Sequence, residues 1–323
     1  MAARPDAEGA LLQLVNDREL MGQFMRKPGF LLARVDQICT AIFGTLSGTT
    51  TLSQVELLLL LDRLGPMIQI TLARAAGVDK STTAYIVDNL QARGWVERTV
   101  PENDRRSQLV SLTEEGRRVL PLVKRDFATL QQRLKAPFAL HESALLISRL
   151  HRLGQHSEGS APPWRSACEP ATGVLDFAIS FLARRALQLL HAQFTAKTRG
   201  TRLTLRQFSL LFILSRREAI TQVEFARIFG LDPATCAVIM RGPARRGLID
   251  SARCPHDGRA RTYRLTQAGW ILLGEVHPLV DESEAAVFGH LSAEERERIV
   301  EWLQRIVRSY SELLRYPGAI GCG

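Results

Sequence analysis

The apolar positions along the chain are spaced for a mostly helical protein. Apolar side chains recur every three or four residues between Phe30 and Ile42, and again over Val55–Leu59. That spacing places them on one face of a helix. A third, shorter helix is predicted over Gln69–Ala76, and a fourth is predicted to begin at Lys80. Four helices therefore open the chain, the last two separated by only a few residues.

The short connection between the third and fourth helices predicts a helix-turn-helix. Gly77 is suited to end one helix, and Asp79 is a favourable N-cap for the next. Helical periodicity divides the fourth helix into two faces. The inward face holds Thr83, Ile86, Val87 and Leu90, and the outward face holds Ser81, Thr82, Ala84, Tyr85 and Asn89.

The hydrophobic period changes after Gly94, which predicts a β-hairpin. The segments WVERTV and SQLVSLT have the pattern of two short strands, and the polar, basic segment PENDRR joins them. Thr113 then has the position of a cap for a long helix that runs to Leu134. A last helix is predicted from about Glu142 to Leu153.

This whole pattern occurs twice. A shift of 153 positions (205 − 52) aligns Leu52–Gly116 with Leu205–Gly269 without a gap, and about a third of the aligned pairs are identical. A repeat of this length should possess its own core. We therefore predict two domains, residues 1–155 and 173–323, joined by a linker at 156–172 that is rich in Pro, Gly, Ser and Ala.

Composition and charge narrow the class of protein. The 323 residues are 46% hydrophobic, with no unbroken apolar run of membrane-spanning length and no signal-peptide core, so a cytoplasmic protein is expected. A net charge of +9 favours a polyanionic partner. The five cysteines are scattered, and we find no spacing typical of metal ligands or of catalytic residues. We expect no metal, no cofactor and no enzymatic activity.

The order of elements, with GVDKSTTAYIVDNLQARGWVER followed by PENDRRSQLVSLTEEG, resembles the MarR family of winged helix-turn-helix regulators. The second copy, GLDPATCAVIMRGPARRGLID and then PHDGRARTYRLTQAG, resembles it more loosely. The resemblance implies a mainly α fold with small β-hairpin wings, and a transcription regulator that binds double-stranded DNA. Members are usually homodimers with interlocking terminal helices. Here the resemblance implies a monomer whose two copies form that dimer internally, as a pseudo-two-fold, and further dimerisation stays open.

Candidate DNA contacts lie on the second helix of each helix-turn-helix, the recognition helix. Such a helix fits the major groove, and outward residues near its N-terminus meet the base edges. In the first copy these residues are Lys80, Ser81, Thr82 and Tyr85. In the second copy the candidate DNA contacts on this helix are Thr235, which corresponds to Thr82, and Arg241. The alternative is that the hydroxyl residues serve only the first turn of the helix.

Each wing carries an Asp-x-Arg pattern at its tip. Asp104 and Asp257 can hold Arg106 and Arg259 in an outward orientation. The resemblance implies that such an arginine enters the minor groove, where the negative potential is strong. A solvated ion pair worth under about 1 kcal/mol would give the same pattern. We expect phosphate contacts from other basic residues of the wings, namely Arg98, Arg105, Arg261 and Arg264.

The second copy departs from the first within its recognition helix. Gly242 and Pro243 replace Asn89 and Leu90, and proline inside a helix removes a hydrogen bond and clashes with the preceding turn. We therefore expect this helix to kink or to end early. A valine also replaces Tyr85. The hypothesis is an asymmetric operator, with bases recognised by the first copy and the backbone held mostly by the second.

Regulation is less well defined by the sequence. The resemblance implies a small aromatic or phenolic effector that weakens DNA binding, so that the protein acts as a ligand-responsive repressor. Two alternatives stay open. One is a winged-helix module that binds another protein. The other is a redox-responsive regulator that senses through Cys39 or Cys236, although Cys236 corresponds to the inward Thr83 and is expected to be buried.

Overall fold

A computed structural model describes residues 19–100, 108–155, 173–253 and 260–314. The predicted linker at 156–172 and the tips of both wings lie outside these residues. Most of the described chain is helical, and the strands form two small antiparallel sheets. The predicted fold class, mainly α with β-hairpin wings, is confirmed.

The elements of the first copy follow the predicted order. Their bounds are α1 (Pro28–Leu46), α2 (Leu52–Leu64), β1 (Met67–Ile68), α3 (Gln69–Ala76), α4 (Lys80–Ala92), β2 (Val96–Thr99), β3 (Leu109–Leu112), α5 (Glu114–Lys135) and α6 (Leu140–Gln155). Strand β1 was not predicted. It pairs Met67 with Val110 and completes a three-stranded sheet in the order β1-β3-β2.

The second copy repeats these elements after a short 3-10 helix at Gly173–Phe177. Its elements are α7 (Ile179–Lys197), α8 (Leu205–Ser215), β4 (Ile220–Thr221), α9 (Gln222–Phe229), α10 (Pro233–Arg245), β5 (Ile249–Arg253), β6 (Arg261–Leu265), α11 (Gln267–Phe288) and α12 (Ala293–Tyr310). The second sheet has the order β4-β6-β5. The duplication seen in the sequence is therefore a duplication of the fold.

Equivalent residues shape the turn of each helix-turn-helix. Gly77 and Gly230 end α3 and α9 in the left-handed conformation, with φ of 62° and 64°. Glycine adopts this conformation without a steric penalty. Asp79 and Asp232 then cap the recognition helices α4 and α10. The same local chemistry sets the angle of entry into both recognition helices.

Of the two expected effects of Gly242 and Pro243, a kink or an early end, the early end is wrong, and the kink stays a prediction. Helix α10 spans 13 residues, as α4 does. Pro243 lies in its last turn, where the missing N–H costs a single hydrogen bond, and the Pro243 carbonyl still accepts from Leu248 N at 3.0 Å. Gly242 lies so close to α8 that a Cβ there would come 2.6 Å from the Gln207 side-chain nitrogen. Gly242 thus lets α10 approach α8 closely.

The chain divides into two compact units that each combine segments of both copies. The first unit holds the described residues of 32–192 together with 287–306. The second unit holds residues 19–31, the described residues of 193–286, and residues 307–314. The domain bounds 1–155 and 173–323 describe the copies along the chain and stay a prediction. The compact units cross those bounds, because helical segments of one copy complete the core of the other.

Helix α1 has the length and apolar composition of a membrane span, although it contains no unbroken apolar run of that length. It is one such helix among the described residues, and a core helix of a water-soluble fold has the same properties. Four of its apolar side chains, Leu32, Val35, Ile38 and Ile42, are fully buried within the first unit. In this fold α1 is a core helix.

Candidate nucleic-acid interface

The first turn of α4 is organised around the Asp79 carboxylate. It accepts hydrogen bonds from Thr82 N at 2.9 Å, from Thr82 Oγ1 at 2.6 Å and from Ser81 Oγ at 2.5 Å. These bonds favour the ionised form and lower the pKa of Asp79 to about 2. Because both hydroxyl hydrogens are directed at Asp79, Ser81 and Thr82 present lone pairs outward. They are therefore suited to accept hydrogen bonds from base amino groups.

The two faces of α4 are those predicted. Thr83, Ile86, Val87 and Leu90 are buried. Lys80, Ser81 and Thr82 are exposed, and Tyr85 is 69% exposed. A helix of this kind presents a lysine, two hydroxyl acceptors and a phenol on one open surface. That these four side chains contact bases stays a prediction.

Helix α10 has the same cap and a less polar outer surface. Asp232 accepts from Thr235 N at 2.9 Å and from Thr235 Oγ1 at 2.5 Å, and these bonds lower the pKa of Asp232. Val238 occupies the position of Tyr85 and is 63% exposed. Arg241 is exposed as well. The second recognition helix therefore offers an apolar side chain in place of the Tyr85 phenol and a cation in place of Asp88.

Arg98 is held within the first unit. Its guanidinium lies 2.6 Å from Asp88 and donates to Gln91 Oε1 at 2.6 Å, and its side chain is only 16% exposed. These bonds tie β2 to α4. The predicted phosphate contact would require Arg98 to leave these partners, so its first role in this fold is to brace the wing against the recognition helix.

The second wing leaves its two predicted phosphate ligands at the surface. Arg261 donates to Ser251 Oγ at 2.6 Å across the hairpin and stays exposed. Arg264 lies 3.6 Å from Glu218, and both side chains are largely exposed, so this ion pair is weak. The remaining candidates, Asp104, Arg105, Arg106, Asp257 and Arg259, lie outside the described residues.

A charged cluster beneath the first helix-turn-helix was missed by sequence reasoning. Arg184 of α7 donates to the carbonyl of Ala76 at 3.2 Å and is paired with the buried Glu56 carboxylate of α2. Burial raises the pKa of Glu56 to about 7, against the opposing effect of Arg184. The Arg185 side chain covers Gly77 so closely that a Cβ there would lie 1.7 Å from its guanidinium. Two arginines from the second copy thus hold the turn of the first helix-turn-helix.

In the second unit the corresponding place is aromatic. Phe229, at the position of Ala76, lies with its ring centroid 5.7 Å from those of Phe24 and Phe30. Phe212 also contacts Phe24, at 5.7 Å. The turns of the two helix-turn-helix motifs are therefore supported by different chemistry, charged in the first unit and apolar in the second.

The two described cysteines are poor candidates for redox sensing. Cys39 and Cys236 are both fully buried, as expected for Cys236. Burial raises the pKa of both thiols, to about 11 for Cys236. Oxidation requires an accessible thiolate, and neither residue supplies one. Within the described ranges there is also no group of three His, Cys, Asp or Glu side chains that could hold a metal ion.

Two winged helix-turn-helix units with open recognition helices define a class of protein, the winged-helix DNA-binding regulators. Comparison with known proteins agrees with this class. Residues 50–108 and 203–260 each match the MarR family, and each match covers the helix-turn-helix and the first wing strand of one copy. The repeat is therefore a repeat of a MarR-type segment.

Individual relatives resemble one copy at a time. An uncharacterized HTH-type transcriptional regulator, YybA of Bacillus subtilis (strain 168), is 25% identical over 138 residues, which are 43% of this chain and 91% of YybA. Among solved structures, Bordetella bronchiseptica BpsR, whose DNA binding is regulated by 6-hydroxynicotinic acid, is 29% identical with a TM-score of 0.38. The match covers 40% of this chain and 91% of BpsR. A mutant of E. coli MarR complexed with operator DNA is 20% identical, with a TM-score of 0.37 and coverage of 39% and 90%.

Proposed function

We propose that this chain is a cytoplasmic, ligand-responsive transcriptional repressor that binds double-stranded DNA as a built-in dimer. The observation that carries the proposal is the duplicated recognition helix. Both α4 and α10 begin at an aspartate cap, run for 13 residues and leave their first turns open to solvent. Each lies in a segment that matches the MarR family.

The two units have different tasks on the operator. The first turn of α4 enters the major groove, where Ser81 and Thr82 accept hydrogen bonds and Tyr85 adds a phenol. Helix α10 enters a major groove with Thr235, Val238 and Arg241 and depends more on phosphate contacts. One arm of the operator therefore carries more sequence information than the other.

Selection of binding sites from a random duplex library tests this proposal. The wild-type protein should recover a site with two arms of unequal information content. Tyr85→Ala should lower affinity for that site by about 1–3 kcal/mol and relax base preference in the stronger arm. The matched variant Val238→Ala, at the same position of the second copy, should change affinity less. Recovery of no site, or of a perfect palindrome that both variants affect equally, would contradict the proposal.

We also propose an aromatic or phenolic effector that acts through the first unit. What supports this in the chain is the largely buried cluster of Arg184, Arg185 and Glu56, which touches the turn before α4 and contains a carboxylate oxygen, Glu56 Oε1, without a hydrogen-bond partner among the described residues. A panel of hydroxybenzoates should release the selected duplex from the wild-type protein and should be less effective on Arg184→Leu. If no member of the panel changes duplex affinity, this part of the proposal fails.

A further inference from the structure

Five exposed arginines gather where the end of α10 meets the start of α8. Arg199 and Arg202 lie in the turn after α7, Arg206 lies in the first turn of α8, and Arg245 and Arg246 lie at the end of α10. Arg246 donates to the carbonyl of Arg202 at 3.2 Å, which joins the two segments. The close approach of Gly242 to Gln207 joins them again, one residue from Arg206. We call these five residues the arginine surface.

The first copy has no such surface. At the corresponding positions it carries Leu46, Thr49, Ser53, Ala92 and Arg93, so five positive charges in the second copy replace one in the first. The fold itself therefore does not require these charges. Within the part of the chain that the structure describes, none of the five guanidinium groups forms an ion pair with a carboxylate.

The chemistry of this surface fits the phosphates of a duplex. Five neighbouring cations repel each other, and a polyanion relieves that repulsion. The planar guanidinium donates in a fork that matches phosphate oxygens. A helix of 13 residues is about 20 Å long, whereas the major groove is about 12 Å wide. When the first turn of α10 meets base edges, its far end comes beside the sugar-phosphate backbone.

We propose that the arginine surface is a second set of DNA contacts, present in the second copy alone, that binds backbone phosphates without regard to base sequence. This inference rests on the proposed DNA-binding function and deepens it. The arm bound by α10 then carries more phosphate contacts than the arm bound by α4. The second copy compensates in this way for the hydrogen-bonding groups that its recognition helix lacks.

The chain offers its own matched variant for the test. Arg202→Thr, Arg206→Ser and Arg245→Ala together install the residues of the first copy at three positions of the surface. The control, Arg296→Gln, Arg298→Gln and Arg308→Gln on α12, removes the same charge from exposed positions elsewhere. Both proteins are compared with wild type on the duplex recovered by selection and on a random duplex of equal length, over a range of salt concentrations.

The triple variant should bind both duplexes about tenfold more weakly at moderate salt. Its plot of log affinity against log salt should be shallower by up to about 2.7, since each lost phosphate contact removes about 0.9. Phosphate-ethylation interference should disappear from positions in one arm. The control should keep the wild-type slope, and unchanged thermal unfolding of both variants shows that the fold is intact.

The experiment distinguishes a failure of the proposed function from a failure of the inference about the arginine surface. If the wild-type protein binds no duplex, the proposed function falls and this inference falls with it. If wild type binds DNA but the triple variant keeps its slope and its interference pattern, the inference alone is overturned. If the triple variant binds DNA normally but no longer binds polyglutamate that wild type retains, the surface serves an acidic protein partner and the inference is again overturned.

Discussion

Glu56 lies fully buried on α2, with Oε2 paired with Arg184 and Oε1 without a hydrogen-bond partner among the described residues. Removing a carboxylate from water favours its protonated form. Burial raises the pKa of Glu56 to about 7, the Asp36 carboxylate adds to the rise, and Arg184 opposes it. The charge that faces Arg184 therefore changes close to neutral pH.

We expect this residue to make stability depend on pH. The pKa of Glu56 is about 7 when folded and near 4.5 in an unfolded chain, so the folded state binds the proton more tightly. Its contribution is fully present below about pH 4.5 and is lost as the pH rises through 7, on the order of 3 kcal/mol in total. In urea denaturation from pH 5 to pH 8, the free energy of unfolding of wild type should fall relative to that of Glu56→Gln.

The exposed variant Glu297→Gln is the control for that measurement and should parallel the wild-type curve. A difference between wild type and Glu56→Gln that stays constant from pH 5 to pH 8 would show that Glu56 does not titrate in this range.

Residues whose neighbours are close in sequence could be predicted. The inward face of α4 and the Asp79 cap follow from helical spacing within a dozen positions. The Arg184–Glu56 pair could not be predicted, because its partners are 128 positions apart. The signal was present, since Arg184 and Arg185 are the only charged residues in the mostly apolar segment ISFLARRALQLL. Two adjacent arginines on a buried helix require partners that compensate their charge, but the sequence does not identify those partners.

At the scale of elements, a glycine near the start of each long helix, Gly116 in α5 and Gly269 in α11, brings that helix against the backbone that follows the recognition helix. A Cβ on Gly116 would lie 2.0 Å from the carbonyl oxygen of Trp95, and one on Gly269 would lie 2.1 Å from that of Leu248. No side chain tolerates such a distance to backbone, so α5 and α11 would have to move. These helices follow the wings directly, so the close approach at the two glycines fixes where each wing lies within its unit.

We predict that Gly116→Ala destabilises the protein by about 1–3 kcal/mol or more, because backbone must shift to admit one methyl group. The matched control is Gly44→Ala in α1, where an added Cβ meets nothing within 4 Å. That variant should stabilise by about 0.5–1 kcal/mol, since alanine is the better helix former. Chemical denaturation measures both. Equal effects of the two variants would contradict the packing described for α5.

Most elements could be predicted, because their capping residues and their hydrophobic periodicity lie within the segment that forms the element. Strand β1 was not predicted, because two residues are too few to show an alternation of apolar and polar positions. The strand forms only by pairing with β3, more than 40 positions away. The length of α10 was predicted wrongly because a proline near a helix end costs far less than one in the middle. The contact between α10 and α8 at Gly242 could not be predicted, because the sequence of the recognition helix does not show which helix packs against it.

At the scale of the molecule, the sequence shows two copies but not the exchange of segments between them. Helical periodicity identifies which face of a helix is buried and leaves open which copy covers it. The second unit contains Leu20, Met21 and Phe24 from the start of the chain in its core. The first unit contains the fully buried Leu175, Ile179 and Leu182 from the second copy.

We predict that neither copy is stable alone. Residues 1–155 and 173–323, expressed separately, lose the segments that complete their cores and should show no cooperative unfolding as monomers. Co-expressed, the two halves should form a soluble 1:1 complex. A monomeric half with a sharp unfolding transition would show that the exchanged segments are dispensable.

The number of chains on one operator tests most directly whether a single chain binds DNA as a built-in dimer. Native mass spectrometry of the complex with the selected duplex should give one chain per duplex, with both arms protected from hydroxyl radicals, because each copy supplies one recognition helix. Two chains on a duplex with two identical arms would contradict a built-in dimer, since each chain would then use only one of its two copies.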